Sequence, residues 1–235
     1  MVQARNIMRF KFILLIVFAA ATAVQAQEPA SQRFSEGEPQ PVVNEDRGIA
    51  YVIPLNTDPL ASRSALKGDP LAVPQQNSIF LGPRWQTEKL HDRELQLANL
   101  MSNMTDPVRM AALAELGVKN TFEANDFQER PIDLENRDHV SDLQIQSILR
   151  SMLKDNPIQH SRFGTIYVVY LDPSLQSTLA DLIGGKHYAA YYNAFNLAGN
   201  RIRYLVVPYQ SDLKTAYEIS LSGFLYAVLN PDRIK

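Results

Sequence analysis

Thr165-Ile166-Tyr167-Val168-Val169-Tyr170-Leu171 is β-branched and aromatic almost throughout and stops at Asp172-Pro173. A run of this kind, with no polar residue alternating through it, reads as a strand covered on both faces. Such a strand belongs at the centre of a sheet with helices packed on it. The expected fold class is therefore α/β, with a mixed sheet, a C-terminal antiparallel hairpin and helices packed on the sheet.

Beyond this strand, the runs 187–195 and 201–209 flank Leu197-Ala198-Gly199-Asn200, a Gly-containing loop between two apolar segments, and so predict the hairpin. Pro208 marks the end of its second strand. Ser211 or Asp212 then caps a last helix whose buried stripe is Leu213, Tyr217, Leu221, Phe224, Leu225 and Val228. On the other side of the central strand, Ser141-Asp142-Leu143-Gln144 has the spacing of a capping box. The helix it opens carries Ile145, Ile148, Leu149 and Met152 on one face. Residues 125–138 are charged and interrupted by proline, which predicts a long surface loop, and 118–124 give only a weak strand pattern. Earlier still, Asp106-Pro107 starts a helix that ends at Gly117, and Leu90, Leu97, Leu100, Met101 and Met104 mark the helix before it. Ser78-Ile79-Phe80-Leu81-Gly82, closed by Pro83, is a second buried strand.

The amino-terminal part differs in kind. Residues 49–76 contain Pro54, Pro59, Pro70 and Pro74 around Ala50-Tyr51-Val52-Ile53, the pattern of a segment lying extended at a sheet edge. Residues 27–48 are rich in Glu, Gln, Pro and Ser, a composition that cannot offset the entropy of ordering, and read as a disordered leader. Before them, Arg5, Arg9 and Lys11 precede an apolar run from Phe12 to Ala21 and the small-residue ending Val24-Gln25-Ala26. That order is the order of a secretory signal peptide, predicting residues 1–26 as the leader peptide, cleavage before Gln27 and a single α/β domain over 49–235. The apolar run is short of the roughly 20 residues a spanning helix needs, so no stable membrane anchor is expected after cleavage. The expected location is extracytoplasmic, periplasmic or secreted.

Loss of residues 1–26 removes three basic and no acidic side chains, leaving 20 of the 23 Lys and Arg against 25 Asp and Glu. A mildly acidic chain without a run of Lys or Arg is a poor nucleic-acid ligand. The absence of cysteine excludes disulfides, thiol nucleophiles and thiolate zinc sites.

The segments read in order resemble those of the secreted Exordium-like, or phosphate-induced, proteins of plants and their bacterial relatives. The likeness runs over about residues 70–210: Gly82-Pro83-Arg84-Trp85, Leu116-Gly117-Val118, the Ser141-Asp142 helix, Ile166-Tyr167-Val168-Val169-Tyr170 and Ile202-Arg203-Tyr204-Leu205-Val206-Val207-Pro208. The resemblance implies an extracellular protein tied to growth or surface interactions, with no established reaction. Family members carry a Cys- and His-bearing stretch before the last hairpin. Here that place is Tyr188-Ala189-Ala190-Tyr191-Tyr192-Asn193, so chemistry resting on the stretch does not carry over.

Candidate ligand-binding residues follow from strand alternation. With 187–195 as a strand, His187, Tyr191, Asn193 and Phe195 share one face, while Tyr188, Tyr192 and Ala194 share the other. An imidazole, a phenol and an amide on one surface suit a sugar, a peptide or a small polar ligand, although the same tyrosines would also pack on a helix with their hydroxyls at the rim. Arg201 and Arg203 alternate with Ile202 and Tyr204, so both guanidinium groups share a face that could clamp an anion or simply meet water.

Asp138, His139 and Asp142, with Asp126 and Glu129, suggest a metal only weakly. There is no His-Glu-x-x-His, and His91, His139, His160 and His187 are scattered, so neither a metal nor any other cofactor is predicted. No nucleophile elbow and no glycine-rich phosphate loop occurs. Two readings follow. The first is an exported noncatalytic protein that binds a polysaccharide, a surface component or a protein through the hairpin. The second is a secreted hydrolase with His187 as general base and Asp138 or Asp172 as its partner, which requires a hydrogen bond between them.

Overall fold

The 165–171 run lies where its composition demands. The computed structural model describes residues 39–44, 48–54, 69–102, 107–119, 123–130, 138–155 and 164–231. In chain order these form β1 (Gln40–Val43), β2 (Ile49–Ile53), β3 (Gln75–Leu81), a 3-10 turn (Pro83–Gln86), α1 (Glu88–Ser102), α2 (Pro107–Glu115), β4 (Glu123–Arg130) and β5 (His139–Ser141). They continue with α3 (Asp142–Asp155), β6 (Thr165–Leu171), β7 (Gln176–Leu179), β8 (Leu182–Ile183), β9 (Ala190–Leu197), β10 (Asn200–Val207) and α4 (Leu213–Leu229). The main sheet has seven strands in the order β1-β2-β9-β10-β6-β3-β4. β6 is buried at every residue and pairs in parallel with β10 on one side and β3 on the other.

The sheet is mixed because β10 and β9 form the expected antiparallel hairpin, turned through Ala198 and Gly199, both at positive φ (49° and 82°). Two consecutive positive φ values match the twist of a two-residue hairpin loop. Antiparallel β2 and β1 extend the sheet beyond β9, and parallel β4 closes the other edge beyond β3.

Alternation along the strands divides the core into two halves. Phe80, Ile166, Val168, Tyr170, Leu205 and Val207 face α1, α2 and α4. Ile79, Tyr167, Val169, Ile202, Tyr204 and Val206 face α3 and a small sheet ordered β5-β7-β8. The capping box is formed: the Ser141 N–H donates to Gln144 Oε1 at 2.8 Å, and the Gln144 N–H donates to Ser141 Oγ at 3.3 Å. Asp212 caps α4, accepting from the Thr215 N–H at 2.7 Å and from its hydroxyl at 2.8 Å.

Four expectations are corrected. Residues 40–43, assigned by composition to the leader, form β1, and β2 is therefore one strand in from the edge. Residues 125–130, expected to begin a loop, belong with 123–124 to β4, since an edge strand need offer only its backbone to a single neighbour and can lack apolar alternation. β9 begins at Ala190, because 185–187 make a turn, and the alternation drawn from His187 starts three residues too early. Tyr188 consequently joins Tyr191 on the α3 side, ring edge to ring face at 5.6 Å, instead of sharing the side of Tyr192. The expectations for residues 1–38, the Asp106 cap and His160 lie outside the described residues. Among the described residues no helix is long and apolar enough to cross a membrane.

α4 is buried along nearly its whole second half, because the sheet lies beneath it and α1 beside it. Gly223 allows the close approach: a Cβ there would stand 2.5 Å from Leu205 Cδ1 and 2.8 Å from Cδ2. Helix propensity alone favours alanine over glycine by about 1 kcal/mol. We expect the reverse: Gly223→Ala should destabilise the fold by about 1–3 kcal/mol through overpacking. Urea unfolding should show the loss shrinking in a Leu205→Ala background, where the new methyl has room.

Candidate ligand-binding site

The polar residues that sequence reading singled out are organised around one it had placed at a solvated helix end. Asp142 opens α3, but its side chain turns under the sheet and is wholly buried. Its Oδ1 accepts the Tyr204 hydroxyl at 2.6 Å. Its Oδ2 accepts amide N–H groups from Gln146 and Asn193, each at 2.9 Å, and from Asn44. The Tyr191 hydroxyl faces the same carboxylate without reaching hydrogen-bond geometry.

Burial pushes the Asp142 carboxyl above its ordinary value of 3.8, while the hydrogen bonds from Tyr204 and the amides pull it part of the way back. Burial first, and the Asp142 charge second, hold the Tyr191 hydroxyl well above 10.0. Tyr188 is raised by burial too, and its hydroxyl meets Ser177 Oγ at 2.9 Å.

The five candidate ligand-binding residues do not converge. Tyr191 and Asn193 are buried under α3, in the Asp142 network, and so present no surface. His187 sits in the turn after β8, where its Nδ1 accepts the Ile183 N–H at 2.8 Å, which leaves the ring proton on Nε2. Arg201 and Arg203 do share a face, but it is the opposite one, toward the end of α4. There Arg203 is only 7% exposed and its Nε–H donates to the Pro231 carbonyl at 3.4 Å. An interior hairpin in a sheet with helices on both sides has no free face to offer.

The groups a hydrolase or a metal would need are engaged elsewhere. His187 bonds to neither Asp138 nor Asp172. Asp138 lies 3.4 Å from His139 on the surface. Asp172, at the carboxyl end of β6, is buried and accepts the Arg84 N–H at 2.7 Å, the Ser174 N–H at 2.7 Å and the Ser174 hydroxyl at 2.5 Å. Gly82 makes room for it at φ 122°, since a Cβ there would stand 2.4 Å from Asp172 Oδ2. No group of three His, Asp or Glu side chains gathers for a metal among the described residues.

Arg203 has a second role. It lines a cavity of about 460 Å³ at the amino ends of the central strands, together with Asp69, Leu71, Val73, Gly164 and Pro231. That volume is within the range of small-ligand pockets, about 300–1,000 Å³. The walls are apolar except for the arginine and the aspartate. Sequence reading found Arg203 by its alternation but had no signal for the cavity, which is made by 69–73 crossing beside β6, with the Leu71 N–H bonded to the Val228 carbonyl at 2.8 Å.

Asp142→Ala should cost about 3 kcal/mol or more in chemical unfolding, because each buried donor left without an acceptor costs about 1–3 kcal/mol. An acid whose folded pKa is raised contributes stability below its unfolded pKa and loses it as pH rises through the folded value. The stability of wild type relative to Asp142→Asn should therefore grow as pH falls from about 7 toward 4, as measured by urea titrations at each pH. A difference that is flat or shrinks on acidification would contradict the assignment. Comparison of the chain with protein-family models, with curated proteins and with solved structures finds no match.

Proposed function

We propose that the chain is an exported, noncatalytic binding protein, whose ligand is a polymer, cell-surface component or protein that inserts an apolar group bearing an acceptor or anionic oxygen. The observation that carries this reading is a buried arginine in the wall of a mostly apolar cavity of about 460 Å³, with Asp69 as the one other charged group in its lining. Apolar walls supply affinity by removing ligand surface from water, and a few placed polar groups fix orientation. A guanidinium held at low exposure is weakly hydrated and suits a carboxylate, sulfate or carbonyl oxygen. Export rests on the basic, apolar and small-residue order of residues 1–26. The resemblance of residues 70–210 to Exordium-like proteins favours the same setting, at a cell surface. The noncatalytic part is supported by His187, whose Nδ1 is taken by the Ile183 N–H, and by Asp172, whose carboxylate is taken by Arg84 and Ser174.

The test uses the chain from Gln27 onward and 8-anilinonaphthalene-1-sulfonate, an apolar anion that fluoresces when bound. Saturable binding is expected, weakened at least about tenfold, or 1.4 kcal/mol, by Val73→Trp. Val73 is 39% exposed at the cavity rim, so the substitution obstructs entry without disturbing the core. Equal binding by wild type and Val73→Trp would remove the cavity from consideration. Polysaccharides, peptides and lipid vesicles should then compete with the probe according to their fit. Turnover of esters, peptides or glycans that His187→Ala abolishes in a folded protein would overturn the noncatalytic reading.

A further inference from the structure

Trp85 is the only tryptophan of the chain. It is 2% exposed, and its indole Nε1–H finds no acceptor among the described residues. An indole N–H can only donate, and a buried donor without an acceptor costs about 1–3 kcal/mol. Folded proteins leave few such groups, and each one calls for a partner. Other buried polar atoms share this condition, among them Arg93 Nε and the Tyr170 hydroxyl, which faces the Ser220 hydroxyl without reaching hydrogen-bond geometry.

All three residues border one small cavity at the carboxyl ends of β6 and β10, where Leu171 and Val207 form part of the wall. The rest of their contacts hold them still. Phe80 stacks on Tyr170 at 5.0 Å and meets Trp85 edge to face at 5.0 Å. The Arg93 guanidinium lies 5.2 Å from the centre of the Tyr209 ring, and its terminal nitrogens donate to the Ser211 carbonyl at 2.9 Å and to the Gln210 carbonyl. Of the Arg93 nitrogens, Nε is the one buried without a partner among the described residues. Burial raises the Tyr170 hydroxyl well above its ordinary value of 10.0, so it stays a neutral O–H able to accept as well as donate.

The cavity volume is about 10 Å³. That is the size of a single water-sized probe. We propose that the cavity is a binding site for one internal water molecule, which accepts from Trp85 Nε1–H and Arg93 Nε–H and donates to the Tyr170 hydroxyl oxygen. The count balances, since water has two lone pairs for the two obligate donors and a proton for the third group. Three hydrogen bonds is also the usual number for a buried water. The water ties the turn after β3, helix α1 and strand β6 together through one oxygen.

The single indole makes the test direct. In the folded, ¹⁵N-labelled chain, the one indole N–H resonance should show a cross-peak at the water frequency, with nuclear Overhauser effects of opposite sign in the laboratory and rotating frames, as a long-lived water requires. A missing cross-peak, or equal signs in the two frames, would overturn the proposal. Trp85→Phe assigns the resonance by removing it. Tyr170→Phe separates a bound water from relay through an exchanging hydroxyl: the cross-peak persists if two donors hold a water, and its loss in a folded variant would overturn the site. Ala216→Val, which adds methyl volume to the cavity wall, should eliminate the cross-peak while the rest of the spectrum stays dispersed. A cross-peak that survives this filling at full intensity would also count against the site.

Discussion

A carboxyl group removed from water has to recover its solvation from the protein, and Asp142 does so by drawing donors from separate parts of the chain. Tyr204 lies 62 residues away, Asn193 51 and Asn44 98. With Gln146 from its own helix, these donors join the segment after β1, the hairpin β9–β10 and the first turn of α3 around one group. The helix also orients the carboxylate favourably, since it sits at the positive end of the α3 dipole. α3 could slide on a purely apolar sheet face at modest cost, but not with its first residue bonded to three other segments. The network thus fixes the register of one whole layer of the fold. It also explains why polar residues of the hairpin that look like ligand groups in sequence are interior.

The fold was legible where burial leaves a signature in residue type. β6 announces itself by its unbroken apolar character, the α3 start by Ser141 and Gln144, and the hairpin by Ala198-Gly199 between two apolar runs. β4 was not legible, because a polar edge strand is held by backbone pairing that side chains do not advertise. β1 was hidden for the same reason: Pro41 and the exposed Val43 look like a leader, and only pairing with β2 orders them. The candidate residues were half legible. Alternation correctly put Tyr191 with Asn193 and Arg201 with Arg203. It could not say that helices cover both faces, nor that the first pair and the second lie on opposite sides. Asp142 was misjudged because its position next to a cap has an ordinary solvated explanation, and nothing local reveals its distant donors.

In an open α/β sheet, ligands commonly bind beyond the carboxyl ends of the strands, at the point where successive helices pass to opposite faces. Here that point lies between β3, which leads into α1 and α2, and β6, which follows α3. The crevice is closed by the protein itself. Asp172 reaches across from β6 to the backbone N–H of Arg84, and Gly82 yields the space. The carboxylate occupies the position an anionic ligand would take at the start of a helical turn. The larger opening is at the other end of the strands, beside Arg203. The switch point is thus filled by the protein's own side chains, while a cavity lies at the opposite end of the strands.

The place of β10 in the sheet has a consequence for biosynthesis. Its residues, Asn200–Val207, stand between β9 and β6, and β1 and β2 reach the rest of the sheet only through β9. In a chain emerging amino end first, β3, β4 and β6 can pair early, but β1 and β2 cannot join them until β9 and β10 have been delivered. Closing such long loops is entropically costly and is repaid only when the late strands arrive. The amino-terminal strands thus wait for segments made near the end of synthesis before they join the main sheet.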